Sequence, residues 1–305
     1  MTEIILEKII RIRITLRNKK LNGGAFAIFI IFSFMLYGCK GSQVTSSSTG
    51  SEENNGIIKF SGLTWKIKES NAPVGPGSNY FSGNKQNVWV DNAGRLHMKI
   101  SLNNGIWKCA EIYTEKPVAY GTYVFYLSSR VDSLDPNAVL GLFTWNDNSG
   151  MSDANSEIDI EISRWADPAA KNLHYSVQPV YGPDVSSGFY SERNYQKYMQ
   201  LADNYSTHTF TWTDSVVSFA SYLGIGVPTQ NEIANWKYLN TNPPRRTFID
   251  GALSNSIYIP KPGEQTTMHL NLWLTSGNKE YNRAPLYNKN VEVVIDKVEY
   301  VPGNK

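Results

Sequence analysis

The chain has 305 residues, of which 41% are apolar, 12% aromatic and 18% charged; that is enough apolar material for a sizeable core and excludes wholesale disorder. Two cysteines exclude a disulfide framework and a cysteine-rich zinc module. The formal charge is +2, but six basic residues and two acids fall within the first 20 residues, leaving 23 basic and 25 acidic residues elsewhere, a balance that calls for no nucleic-acid partner.

The N-terminal segment reads as an address. Basic residues up to Lys20 precede an apolar run over residues 25–36 (AFAIFIIFSFML). A bilayer span needs about 20 apolar residues, so this shorter run suits a secretory h-region. The following Leu36-Tyr37-Gly38-Cys39 resembles a bacterial lipobox, which implies a signal peptide over 1–38, cleavage before Cys39 and lipid on its thiol. An uncleaved signal anchor is the other reading. Residues 40–56 are dominated by Ser, Thr, Gly and Asn, so 39–56 is expected to be a flexible tether. Cys109, in an apolar stretch, is expected to be buried and inert.

Residues 57–303 are expected to form one domain. Strand signals recur at 95–102, 122–127, 139–145, 157–162, 173–177, 208–213, 216–222, 267–274 and 291–301, rich in β-branched and aromatic residues and separated by Gly, Pro and Asn turns. A short helix is expected over 231–239. Many short strands without βα alternation predict an all-β fold, two packed antiparallel sheets in a sandwich.

Residues 157–161 read Glu-Ile-Asp-Ile-Glu. In a strand, Ile158 and Ile160 enter the core together while Glu157, Asp159 and Glu161 project from the other face. The Cα atoms of Glu157 and Glu161 are then about 13 Å apart, four rises of roughly 3.3 Å. Inward-leaning glutamates can approach the separation of about 5–5.5 Å that retaining glycosidases need between carboxyl groups. Three adjacent acids raise one another's pKa values, and the protons belong to the set. Such a set can keep one glutamate protonated while another is anionic. The alternative is an amphipathic surface strand with its acids in water. Lined-up like charges cost stability, and the surrounding Trp and Tyr suit sugar faces, which favours a glycosidase.

The segment resembles glycoside hydrolase family 16, lichenase-like branch, whose E-x-D-x-E signature it matches. Further patches carry the resemblance: Cys109-Ala110-Glu111, the 120–123 strand, Gly141 to Trp145, His208 to Trp212, Leu270-Asn271-Leu272-Trp273 and the closing strand at 295–300. The resemblance implies a jelly-roll sandwich of the concanavalin A-like type and a retaining endo-glycosidase acting on a β-glucan. It implies Glu157 as nucleophile, Glu161 as general acid and then base, and Asp159 tuning both. Trp145 and Trp273 would line the sugar cleft, with Glu111, Trp165 and Tyr281 as further substrate-binding candidates. No cofactor is needed for the chemistry. A structural calcium held by Asp296 and a Gly94 carbonyl is also implied, although a lone Asp beside Lys297 is usually only a surface charge.

The sequence departs from the family in several places. Asn155-Ser156 stand where the branch has Trp-Asp, Tyr113 stands where it has Arg, Ile162-Ser163-Arg164-Trp165 replaces the usual F-L-G, and residues 223–246 look inserted. Two alternatives therefore stay open: a non-catalytic carbohydrate-binding lipoprotein on the same scaffold, and the same mechanism on a galactan or xyloglucan. His97, His174, His208 and His269 are expected to be structural. The expected partners are a polysaccharide and, through Cys39, a membrane, with the protein an exported, lipid-anchored monomer on the cell envelope.

Overall fold

The computed structural model describes residues 56–148, 155–180, 191–226, 231–239, 259–275 and 284–303. Cys39, the rest of the N-terminal segment and Tyr281 lie outside them.

The described residues form sixteen strands: β1 Ile57–Phe60, β2 Leu63–Ile67, β3 Tyr80–Phe81, β4 Val88–Val90, β5 Leu96–Asn103, β6 Ile106–Thr114, β7 Gly121–Ser128, β8 Ala138–Trp145, β9 Ile158–Ser163, β10 Leu173–Val177, β11 Asn194–Lys197, β12 Tyr205–Trp212, β13 Val216–Leu223, β14 Glu232–Leu239, β15 Thr267–Leu274 and β16 Val291–Pro302. Short 3-10 turns occur at Val131–Ser133 and Ser191–Arg193. The hydrogen-bonded order is β11-β10-β9-β8-β15-β6-β5-β16-β7-β12-β13-β14. Pairing is antiparallel except between β3 and β6.

The β5–β6 hairpin carries the path from one layer into the other, where only Ser101 to Asn103 pair with Ile106 to Lys108. The layers then fold face to face. Tyr175 on β10 stacks on Phe219 of β13 with ring centroids 5.0 Å apart, and its hydroxyl donates to Ser221 Oγ at 2.6 Å. The result is an all-β, two-sheet antiparallel jelly roll.

Alternation explains the packing. Ile158, Ile160 and Ile162 point into the core together with Leu140, Leu142, Leu270, Leu272, Ala110 and Ile112, all fully buried. The other layer contributes Phe125, Leu127, Phe210, Val293 and Ile295. Cys109 is buried in the same core. The even-numbered positions of β9 therefore fix which face its acids occupy.

The expected helix over 231–239 is instead strand β14, an outer strand beside β13. From the bulge at 233 onward, Ala234 and Tyr238 are buried and Trp236 is partly buried, while Asn235, Lys237 and Leu239 are exposed. That is a period of two. Trp236 lies 5.5 Å from Phe219 and is stacked on it. Cross-strand aromatic packing overrides the helix preference of Glu, Ala, Lys and Leu.

Candidate active site

Beta-strand register builds the site. Glu161 on β9 lies opposite Gly141 on β8, Gly141 opposite Asn271 on β15, and Asn271 opposite Glu111 on β6. One pleat away, Asp159 lies opposite Phe143, Phe143 opposite His269, and His269 opposite Tyr113. These two rows floor an open cleft of about 780 Å³, which Glu157, Trp145, Trp273 and Lys68 also line. The three acids of 157–161 thus share one cleft, and the isoleucines between them form its underside.

Glu157 immediately precedes β9 and follows Asn155 and Ser156, both with positive φ. Two contacts anchor that turn. Thr144 Oγ1 donates to the Ser156 carbonyl at 2.8 Å, and Ser156 Oγ donates to the Lys261 carbonyl at 2.7 Å. The Gln178 backbone N–H donates to the Glu157 carbonyl at 3.2 Å, which fixes the residue on the β10 side.

The electrostatics follow from crowding acids at a protein-lined floor. Burial, then the charge of Asp159 and that of Glu161, pushes Glu157 well above the usual carboxylate range. Asp159 is only 3% exposed, and burial pushes its pKa up to about 7 against the hydrogen bonds from Gln178 and Glu157. Glu161 is pushed up to about 8 by burial and by the Asp159 charge. A carboxyl group that holds its proton at neutral pH can act as an acid there.

Glu111, also 3% exposed, is held at both oxygens: Lys68 Nζ reaches Oε2 at 2.9 Å and His269 Nδ1 lies 3.1 Å from Oε1. His269 Nε2 contacts Thr267 Oγ1 at 2.8 Å, and its ring stacks between Tyr113 at 5.2 Å and Phe143 at 5.0 Å. His269 is therefore satisfied, as expected of it, but it belongs to the cleft floor. Lys68 and Asn271 had no assigned role in the sequence reading. The Glu111 position in the Cys-Ala-Glu segment gave no sign of its cation, because Lys68 arrives from the segment after β2, 43 residues away.

Trp145 lines the cleft, its Nε1 donating to Asp147 at 2.7 Å. Trp273 lines it while only 8% exposed. Trp165 stands outside the lining and packs edge-on against Trp273 at 5.8 Å and against His174 at 6.2 Å. It buttresses Trp273, which lines the cleft.

Asp296 and Gly94 are far from this chemistry. Asp296 Oδ1 accepts a 2.6 Å hydrogen bond from Ser128, and its charge acts on Arg95. Lys297 pairs with Glu299 and Arg95 with Asp91; a calcium held by Asp296 together with backbone carbonyls such as that of Gly94 would be structural and supply none of the chemistry in the cleft.

No protein-family model matches the chain, and no curated protein matches it in sequence. Solved structures do share its fold. An endo-acting O-glycanase from the human gut microbiota, of the kind that initiates mucin breakdown, superposes with a TM-score of 0.54 at 16% identity, covering 82% of this chain and 96% of its own. A glycoside hydrolase family 16 endo-glucanase from Bacteroides ovatus, in complex with G4G3G-2F-DNP, gives 0.51 at 14% identity over 78% of this chain and 94% of its own. A prokaryotic β-1,3-1,4-glucanase (lichenase) from a mouse hindgut metagenome gives 0.50 at 16% identity over 83% and 96%. These likenesses define the class of fold, the jelly roll on which glycoside hydrolases of family 16 are built.

Proposed function

We propose that this protein is a retaining endo-glycosidase that hydrolyses internal β-glycosidic bonds of a polysaccharide, with a β-glucan as the expected substrate. The observation that carries the reading is the convergence of Glu157, Asp159 and Glu161 on one open cleft between Trp145 and Trp273. Three like charges beside a buried floor are costly, and a structural role offers nothing to offset the cost. The names of the structural neighbours, glucanases and an O-glycanase, agree with this chemistry.

In the first step Glu157 attacks the anomeric carbon while Glu161 gives its proton to the bridging oxygen, so the aglycone leaves as an alcohol and a glycosyl-enzyme ester forms. In the second step Glu161, now anionic, takes a proton from water, which displaces Glu157 and regenerates the starting state. Glu161 begins protonated, as an acid must, because its pKa is raised to about 8. Glu157 must begin ionised, yet its own proton affinity is high. Asp159, hydrogen-bonded to it, shares that proton, and Glu157 is the nucleophile in the form of the pair where Asp159 holds it. Trp145 and Trp273 present apolar surface to the sugar rings. Glu111, pinned by Lys68 and His269, offers a fixed acceptor to sugar hydroxyls. A lipid on Cys39 would hold the enzyme, as a monomer, at the cell envelope, where polymers too large to import are met.

Lichenan, laminarin, xyloglucan and agarose should be incubated with the protein and the products sized. Endo-cleavage of one of them, lost in Glu157→Gln, is the expected result. In Glu161→Ala, activated aryl glycosides should retain turnover that azide increases, since a small anion replaces the missing base. Wild-type turnover by Glu157→Gln would refute the assignment, and binding without turnover across the panel would indicate a carbohydrate-binding protein.

A further inference from the structure

Asp159 sits between two glutamates, and its carboxylate is fixed from the neighbouring strand. Gln178, just past the end of β10, donates from Nε2 to Asp159 Oδ2 at 2.9 Å, while its Oε1 accepts from the Val180 backbone N–H at 2.9 Å. The amide is thereby oriented at both ends, with its N–H₂ toward the acid. Gln178 continues the β10 register in which Ser176 faces Asp159, and within the acid set its side chain bonds Asp159.

The turn bearing Gln178 is gripped in turn by Arg193. This guanidinium is fully buried, an uncommon place for arginine. Nε donates to the Val177 carbonyl at 2.8 Å and Nη2 to the Gln178 carbonyl at 2.7 Å. Nη1 donates to the Tyr238 hydroxyl at 2.6 Å, and the guanidinium carbon lies 4.8 Å from the centre of that ring. Burying a cation is costly unless its donors are used, and here the rigid fork spans two consecutive carbonyls as a lysine could not. Tyr238 belongs to β14, in the segment that looks inserted. The catalytic layer is thus tied to the opposite sheet through Arg193.

We propose that Gln178 is a positioning residue for Asp159 and that Arg193, braced on Tyr238, holds Gln178 against it. The inference rests on the hydrolase reading of the cleft. Donation from Gln178 favours the ionised form of Asp159 and holds its Oδ2 in place, so the carboxyl group stays aligned for the proton it shares with Glu157. The other titratable or charged groups of the cleft are Glu157 and Glu161 on the same strand side, His269, Tyr113 and Glu111 across the floor, and Lys66, Lys68, Glu115 and Asp147 at its walls. The adjacent strands present Phe143 on β8 and Ser176 on β10, neither of which titrates.

The test is a ¹³C-carboxyl NMR titration of the full chain, with Asp159 assigned by comparison with Asp159→Asn, alongside kinetics on the best glucan. In Gln178→Leu the Asp159 midpoint should rise by about one pH unit, the worth of one hydrogen bond to a carboxylate. kcat should fall about tenfold with KM changed less than twofold. Arg193→Met should shift the midpoint in the same direction, and Arg193→Lys should recover part of the shift. If Arg193→Met does not fold, Tyr238→Phe, which removes only the hydroxyl, should give a smaller shift of the same sign. An unmoved midpoint in folded Gln178→Leu overturns the proposal, and an unmoved midpoint in both Arg193 and Tyr238 variants overturns the part given to Arg193. Because the titration needs no turnover, a wild-type protein that cleaves no glycan would refute the hydrolase reading while this inference remained separately readable.

Discussion

Asn271 lies directly over Gly141: a Cβ added to Gly141 would stand 2.4 Å from the Asn271 amide oxygen. That oxygen is buried and has no hydrogen-bond partner among the described residues. Gly141 is also the cross-strand neighbour of Glu161, so the glycine lets the amide and the acid sit side by side on the floor. Gly141→Ala must displace Asn271, since the backbone of β8 is locked on both edges. The substitution should cost about 1–3 kcal/mol, typical of overpacking, and lower kcat/KM more than tenfold. Urea unfolding and glucan kinetics check the two effects separately.

The carboxylate set makes stability depend on pH. The folded-state pKa of Glu161 is raised from 4.5 to about 8 and that of Asp159 from 3.8 to about 7. The native state therefore binds protons that the unfolded chain releases, and stability falls as pH rises from about 4 to 8. Glu161→Gln should be more stable than wild type at pH 8, by on the order of 1–3 kcal/mol, and close to it at pH 4. Thermal midpoints across that range measure the difference. A variant that is inactive yet more stable is the expected mark of a site where charge is held against its own repulsion.

His208 acts with the opposite sign. Burial pushes its pKa down to about 3, and its ring nitrogens contact Ser221 Oγ at 2.7 Å and Ser206 Oγ at 3.0 Å. The unfolded chain binds a proton there that the native state refuses. Its contribution is complete above about pH 6.5 and is lost as pH falls toward 3. In His208→Gln the loss of stability between pH 6.5 and 4 should be smaller than in wild type, as read from denaturant midpoints.

Glu111 depends on Lys68. Lys68→Met leaves a buried carboxylate short of a cation and should cost about 2 kcal/mol. Adding Glu111→Gln should recover more than half of that loss, because the orphaned charge is then gone. A double-mutant cycle by chemical denaturation gives the coupling. If Glu111 instead tolerated the loss of Lys68 without a change in stability, its fixed orientation in the cleft would need another source.

Much of this was legible from local pattern. The alternation of residues 157–161 sets acids against isoleucines, and a strand has no other way to place them. Cys109 is buried, as its apolar setting implied. Residues 232–239 misled because a segment with good helix formers and one alternating apolar stripe is ambiguous until its neighbour is known. Its partner, β13, decided the matter through Phe219.

The amino-acid order by itself determined that the domain is built of strands, that three acids share one face and that aromatic residues accompany them, since side-chain alternation and residue preference act over a few residues. Only the tertiary structure decided that Lys68 would cross 43 positions to meet Glu111, that Gln178 would reach back 19 to Asp159, that Arg193 would bridge to Tyr238, and that Trp165 would pack against Trp273. Those contacts arise from strand register and sheet closure, which couple distant segments through space and leave no periodic trace along the chain.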